Sequence, residues 1–470
     1  MATAVTTRDS SSFWASVREA LRGSHQDYTS GSLTRAIFLL AVPMVLEMLM
    51  ESLFAIVDVF WVARLGAEAV ATVGLVEAVL TIVYAVGMGL GLSATAMVAR
   101  RVGEKDHDGA AVSGVQSILL GLVASLAMGA PCFYLAPHLL HLMGASPAVL
   151  AAGTSYARIT LGMCCVAVLL ILNNAVFRGA GDAAIAMRVL WLANSINLLL
   201  DPCLIFGLGP FPRLGVTGAA VATLTGRSVG VVYQFYCLSR GGEHIRILAR
   251  QVRLNVEVMV RLLKVSLTGI AQMLVPHIAW ISLMRIVSVF GSSALAGYTI
   301  AIRIIVFFIL PAWGLSGAAA TLVGQSLGAG NPQRAEEAVW RTSVYNMLVM
   351  GGVGVCMVAF AGPVVHVFTH DPAIVPYAVT CLRIVSIGNV GYAYEMVMMQ
   401  AFNGAGDTRT PTWVNFFGFI VFEIPLAYAL AIPIGLHSQG VFWAITISES
   451  AIAAAFVYLF RRGRWKTERI

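Results

Sequence analysis

The chain contains an internal repeat, and this repeat limits its possible folds more than any other feature. Residues 177–182, FRGAGD, recur 225 positions later as FNGAGD at residues 402–407. With no insertion in between, the same offset pairs glycines of the two halves: Gly66 with Gly291, Gly89 with Gly314, and Gly103 with Gly328. A register kept over more than a hundred residues excludes chance. The sequence therefore predicts two copies of one structural unit.

Composition places both copies in a lipid bilayer. Hydrophobic residues make up 59% of the chain and charged residues 11%, with a mean hydropathy of +0.83, whereas soluble domains carry roughly a quarter charged residues. A spanning helix needs about 20 apolar residues, and each half contains six such stretches: 35–62, 69–99, 112–135, 155–177, 187–206 and 215–238, then 258–289, 294–326, 342–360, 377–402, 412–432 and 440–460. We therefore predict an all-α polytopic membrane protein with twelve transmembrane helices in two six-helix lobes.

The even number of spans in each copy fixes how the lobes are related. Both copies enter the membrane from the same side, so the lobes are related by a pseudo-two-fold axis along the membrane normal, an arrangement found in secondary transporters. The predicted segments are residues 1–32 (N-terminal, cytoplasmic), 33–240 (N-lobe), 241–257 (basic linker), 258–460 (C-lobe) and 461–470 (basic tail).

The positive charges indicate the orientation of the chain. Most of the 30 Lys and Arg residues fall at the termini, in the linker and on loops of the same side, and such residues accumulate on cytoplasmic loops. We expect a monomer in the inner (plasma) membrane with both termini cytoplasmic. This distribution accounts for the net charge of +7 without a nucleic-acid partner.

Three acidic residues in the first span are candidate functional groups, because ionisable residues inside a membrane are costly and rare. Glu47, Glu51 and Asp58 are spaced by four and seven residues, which stacks them on one helical face. They could relay protons, attract a cationic substrate or form structural polar contacts. For Asp58 the alternative is an interfacial carboxylate paired with Arg64.

The fifth span supplies a second intramembrane carboxylate. Asn197 and Asp201 lie one turn apart, and Pro202 interrupts the backbone hydrogen bonds that follow. If Asp58 and Asp201 share a pocket, burial and mutual repulsion increase the proton affinity of at least one of them. A hard cation such as sodium would use the same oxygens. The alternative for Asp201 is a helix-end group that faces water.

These residues and several motifs resemble the multidrug and toxic compound extrusion (MATE) family, and within it the DinF-like branch. The resemblance covers about residues 33–460. It is carried by VDVFWVARLG at residues 57–66, the Gly-Ala-Gly-Asp of each half, the Asn197 to Asp201 pattern, and PAWGL at residues 311–315. It implies a twelve-helix antiporter that exports cationic amphipathic compounds in exchange for H⁺ or Na⁺, with no other cofactor.

The resemblance also implies which residues bind the coupling ion. Carried over by position, the N-lobe site comprises Asp58, Asn174, Asn197 and Asp201, with a further hydroxyl at Thr223. Sodium, if it is the coupling ion, would bind the first four of these residues.

The acids elsewhere in the spans point to a substrate cavity. Glu47 and Glu51 depart from the neutral polar residues of many relatives. Glu395 and Glu423 lie in C-lobe spans and could bind a drug cation, although pairing with Arg303 or Arg383 is an equal alternative. We assign Glu47, Glu51, Glu395 and Glu423 to this cavity, together with the aromatic residues Trp313 and Tyr392.

The overall prediction is an antiporter rather than an enzyme. The repeated Gly-Ala-Gly-Asp does not follow a strand and lacks the Lys-Ser or Lys-Thr of a phosphate-binding loop, so it is predicted to be a tight turn at a helix end. The alternative function is a flippase for lipid-linked oligosaccharides, whose cavity should carry Arg and Lys residues for a pyrophosphate. A passive channel is disfavoured because neither half contains a recognisable filter.

Overall fold

The computed structural model describes residues 10–24, 26–241 and 245–468, and this part of the chain is helical without a β-strand. A short helix, α1 (Ser10–Arg22), precedes twelve membrane passes. The first six passes are α2 (Leu33–Ala63), α3 (Ala67–Gly103), α4 (His107–Leu142), α5 with α6 (Pro147–Gly162 and Cys164–Ala180), α7 (Ala183–Phe206) and α8 (Val216–Arg240). The predicted helical fold with twelve passes is confirmed, and the protein is a multi-pass membrane protein.

The second six passes repeat this order. They are α9 (Val256–Ser288), α10 (Ser292–Gly328), α11 (Pro332–His366), α12 with α13 (Val375–Ile387 and Asn389–Ala405), α14 with α15 (Arg409–Asn415 and Ile424–Ala431, joined by π-helical turns over Phe416–Glu423), and α16 (His437–Arg461). Parts of the predicted segments 1–32, 241–257 and 461–470 lie outside the described residues. We call the side where α2 begins and α16 ends the near face, and the other side the far face.

The two lobes share local details that follow from the repeat. The fourth pass of each lobe breaks at equivalent positions, Met163 and Gly388. The repeated Gly-Ala-Gly-Asp ends the pass in both lobes, because Gly181 (φ +96°) and Gly406 (φ +88°) adopt the left-handed conformation that favours glycine. The predicted helix-end turn is therefore confirmed.

The lobes touch through glycines that the repeat had paired. A Cβ on Gly89 of α3 would lie 2.5 Å from the backbone nitrogen of Ile270 in α9, and one on Gly314 of α10 would lie 2.5 Å from the carbonyl oxygen of Met44 in α2. Gly103 and Gly328 make equally close approaches at the near face. The repeated glycines allow helices of opposite lobes to meet backbone to backbone.

The two ends of the described chain cross between the lobes at the near face. Arg334 of the C-lobe donates from Nε to the carbonyl of Tyr28 (3.0 Å), from Nη1 to that of Gly31 (3.0 Å) and from Nη2 to that of Ser30 (2.8 Å). In the opposite sense, Arg100 of the N-lobe donates to the carbonyl of Glu468 (3.3 Å). These contacts reinforce the closure of the lobes at the near face.

Candidate ion and substrate sites

The N-lobe contains a partly open cavity of about 300 Å³ between α2, α3, α5, α6 and α8. Its charged lining consists of Asp58 from α2, Glu77 from α3 and Arg227 from α8, and the hydroxyls of Tyr84 and Thr223 also line it. Positive and negative side chains therefore line the same cavity. An ionic ligand of either sign would find a partner there.

Asp58 lines this cavity rather than the membrane surface. Its carboxylate interacts electrostatically with Glu77, Arg227 and Asp201, and no hydrogen bond to it is formed by the described residues. The alternative of pairing with Arg64 is wrong, because the Arg64 guanidinium lies over the ring of Phe60, 4.5 Å from its centroid. Asp58 is thus available to a ligand.

Asp201 lies beside Asp58, fully buried, and is the acceptor in a polar cluster. The Nδ2 of Asn197 donates to the Asp201 carboxylate (3.3 Å) and to the Thr223 hydroxyl (2.9 Å). The alternative of a water-facing Asp201 is wrong, since its exposed fraction is 0%. The structure thus brings together four of the five predicted ion-site residues: Asp58, Asn197, Asp201 and Thr223.

This cluster leaves acceptor oxygens without a donor. Asp201 Oδ2 and Asn197 Oδ1 are buried and have no hydrogen-bond partner among the described residues. Buried polar atoms are nearly always satisfied in proteins. A proton would satisfy the carboxylate oxygen, and a hard cation prefers carboxylate and amide oxygens of this kind, so the cluster has the chemistry of a site for either ion.

Asn174 belongs to a different network, nearer the near face. Its Nδ2 donates to Glu47 (3.0 Å), and its Oδ1 accepts from Gln234 (2.7 Å). Glu47 is buried and also pairs with Arg178 at 2.8 Å. Among the described residues no hydrogen bond joins Asn174 to the Asp201 cluster, so the structure does not place it with the other predicted ion-site residues.

The predicted acidic stripe on α2 faces the other helices of the N-lobe. Glu51, between Glu47 and Asp58, accepts a hydrogen bond from Asn194 of α7 (3.1 Å). Each acid of the stripe therefore has its own environment. Glu47 is ion-paired, Glu51 is bonded to an amide, and Asp58 faces the cavity.

The C-lobe holds three acids in one place. Glu395 and Glu423 are each 3% exposed, and Glu449 of α16 is in hydrogen-bonding contact with Glu395 and interacts electrostatically with Glu423. Neither Arg303 nor Arg383 forms an ion pair with Glu395 or Glu423 among the described residues, so that alternative is wrong. Trp313 and Tyr392 pack together at a small apolar cluster of the same lobe.

Three charged residues of these sites escaped the sequence analysis: Glu77, Arg227 and Glu449. The signal that singled out Asp58, an ionisable residue inside an apolar span, applies equally to all three. Arg227 also explains why α8 falls outside the helices that qualify as spans by hydropathy, because polar residues lower the mean hydropathy of this helix.

Comparison with known proteins identifies the family. The sequence matches the MatE family over residues 43–203 and 268–429, one match in each lobe. The chain belongs to this family. Matches in both lobes agree with the duplication, and membership makes the protein a membrane transporter. The narrower assignment to the DinF-like branch stays a prediction.

Individual MATE relatives cover nearly the whole chain. It is 25% identical to a probable multidrug resistance protein NorM of Thermotoga maritima, over 92% of this chain and 93% of that protein, and 26% identical to a FAD transporter of Shewanella oneidensis, over 92% and 95%. Among solved structures, an outward-facing multidrug resistance MATE transporter of the MOP superfamily superimposes with a TM-score of 0.87 at 27% identity, covering 94% of this chain and 98% of that one.

Proposed function

We propose that this MATE protein is a cation-coupled antiporter that exports cationic amphipathic compounds in exchange for H⁺ or Na⁺. The observation that carries the proposal is the pair of buried, unsatisfied oxygens of Asp201 and Asn197 next to the charged cavity. Relatives named as multidrug resistance proteins support the substrate class.

In the proposed cycle, the N-lobe cavity is accessible in turn from the far face and from the near face. The coupling ion enters from the far face, binds Asp58 and Asp201, and favours an N-lobe conformation that releases the exported compound. After the ion leaves at the near face, which we expect to be cytoplasmic, a new molecule binds. Such exchange requires that each ligand bind the two conformations with different affinity.

The charge balance favours this cycle over a flippase. A lipid-linked pyrophosphate would need several cations in the cavity, whereas Arg227 is the single arginine of the described lining and two carboxylates, those of Asp58 and Glu77, line the cavity with it. Arg303 of α10 acts electrostatically on Glu77 from outside this lining. The balance of the lining charges is negative when both acids are ionised. A substrate with a positive group fits it better than a pyrophosphate.

The decisive experiment is dye transport in proteoliposomes under an imposed proton gradient or an imposed sodium gradient. We expect one gradient to drive a fluorescent cationic dye, and we expect Asp201→Asn and Asp58→Asn to abolish that movement while the protein stays monodisperse. Asp371→Asn is the matched control, because Asp371 is exposed in a far-face loop. Wild-type efflux from Asp201→Asn would refute the proposed coupling.

A further inference from the structure

The N-lobe cavity contains one cation that the proposed ion coupling does not use. Arg227 lies in α8, in the middle of the lobe, and lines the cavity that Asp58 and Glu77 also line. An arginine inside a membrane normally pairs with an acid or marks a ligand pathway. Its partners therefore decide which of these roles it has.

Arg227 has no ion-pair partner among the described residues. Its Nη1 donates to the Tyr84 hydroxyl (2.9 Å), and the guanidinium carbon lies 5.8 Å from the Tyr84 ring centroid and 5.9 Å from that of Phe54. Glu51 and Asp58 act on it electrostatically, but neither forms a salt bridge within 4.0 Å. A guanidinium has five N–H donors, so most of these donors remain free to face the cavity.

The repeat shows that the fold does not require a cation at this position. Gly218 of α8 and Gly440 of α16 are equivalent, since each meets the backbone at the end of the preceding pass: Leu204 for Gly218, and Leu430 for Gly440. They are 222 rather than 225 residues apart because the loop before the last pass is shorter in the C-lobe (residues 432–436) than in the N-lobe (residues 207–215). Nine residues further on, the N-lobe has Arg227 and the C-lobe has Glu449. The same site thus carries opposite charge in the two lobes, which argues for a function specific to the N-lobe.

We propose that Arg227 binds the carboxylate of zwitterionic amphipathic substrates. A guanidinium fork matches a carboxylate geometrically and binds it in a bidentate manner. Asp58 of α2 and Glu77 of α3, which line the same cavity, receive the cationic group of the molecule, and Tyr84 and Phe54 contact its flat apolar part. The proposal rests on the proposed export function and narrows its substrate class.

Two dyes that differ in a single group test the proposal. Rhodamine 123 is the methyl ester of rhodamine 110, so the two share the cationic ring system and only rhodamine 110 carries a free carboxylate. Equilibrium binding of both dyes to the purified full chain is measured by fluorescence anisotropy, and uptake is measured in proteoliposomes. The variants are Arg227→Gln and Arg227→Lys, with Arg158→Gln as the matched control, because Arg158 is an exposed arginine of α5.

We expect Arg227→Gln to weaken rhodamine 110 binding by roughly tenfold or more, as for loss of a charge-assisted hydrogen bond, and to leave rhodamine 123 within about twofold. Arg227→Lys, which keeps the charge without the fork, should give an intermediate loss for rhodamine 110. Equal losses for both dyes, or wild-type protein that binds rhodamine 123 but not rhodamine 110, would overturn the assignment.

The transport measurement tests the proposed export function, and the binding measurement tests the role of Arg227 separately. Absence of gradient-driven rhodamine 123 transport in the wild type contradicts the antiporter, whereas the binding measurements decide the role of Arg227 without any transport. If Arg227→Gln is not monodisperse, Arg227→Lys decides alone: unchanged rhodamine 110 binding in that variant would contradict recognition by the fork.

Discussion

Replacing Gly103 with alanine should open the near face of the transporter. Gly103 ends α3, and a Cβ at this position would lie 2.0 Å from the backbone carbonyl oxygen of Gln325 in α10. Ordinary Cβ contacts begin at 3.4 Å, so the two helices must separate by 3.4 − 2.0 = 1.4 Å. The obstacle is backbone, and no side-chain rotation can relieve it.

The cost of this change falls on one conformation only. Forcing an extra carbon into a packed contact costs about 1–3 kcal/mol. Because Gly103 meets the other lobe only when the near face is closed, the penalty applies to the closed state and is absent when the lobes separate there. A difference of that size shifts the population of the closed state by roughly 5- to 150-fold.

Distances between spin labels at the near face measure this shift. In a background without the seven native cysteines, labels at His107→Cys and Gln333→Cys, which are exposed and lie in opposite lobes, report the separation by double electron–electron resonance. We expect a longer distance to dominate in Gly103→Ala. Gly74→Ala on the same helix is the control, because nothing lies within 4 Å of its added Cβ. Identical distance distributions for the wild type and Gly103→Ala would refute the reasoning.

Three further predictions concern polar contacts outside the cavity. Arg334→Ala removes three hydrogen bonds to backbone carbonyls, so hydrogen exchange of residues 28–31 should accelerate while the core is unaffected; unchanged exchange would show that the contacts are not formed. Glu47→Ala removes the partner of Arg178 and the acceptor of the Asn174 amide and should lower the free energy of unfolding by roughly 3 kcal/mol, measured by denaturant titration. Glu47→Gln combined with Arg178→Met, which keeps an acceptor for Asn174 and removes the unpaired cation, should recover most of the loss; equal destabilisation of both variants would contradict this. Glu449→Gln replaces one of two contacting carboxyl groups by an amide whose N–H can donate to Glu395, so the melting temperature should hold or rise, and a fall would refute this account.

Much of the fold could be predicted, because the repeat and the runs of apolar residues each extend over whole helices. The register that paired Gly89 with Gly314 and Gly103 with Gly328 required no knowledge of the structure. Why glycine is needed at these positions could not be predicted, because the close approach of two backbones depends on how helices far apart in the sequence pack together. The breaks at Met163 and Gly388 were not predicted, because each span remains apolar throughout and hydropathy does not show where a helix is interrupted.

The site was predictable where one helix brings its residues together. Asn197 and Asp201 share a face because they are four residues apart, and both lie in the same cluster. Asn174 is on another helix, and the rotation of that helix directs it to Glu47 rather than to Asp201. Such rotations are set by packing between helices, so no spacing in the sequence specifies them.

The duplicated scaffold is symmetric in its contacts but not in its charges. The glycine contacts between lobes occur as equivalent pairs, Gly89 with Gly314 and Gly103 with Gly328, so neither lobe is structurally favoured as the one that moves. The acids break this equivalence, because at the repeat offset Asp58 corresponds to Leu283. In the proposed cycle, an ion bound at Asp58 would therefore have no counterpart at the equivalent C-lobe position, and the clustered acids of the described C-lobe residues lie elsewhere, at Glu395, Glu423 and Glu449. Since a ligand shifts an equilibrium only by its differential affinity, the proposed cycle requires that the ion bind Asp58 with different affinity in the two conformations of the N-lobe, and the asymmetry of charge places that requirement on one lobe.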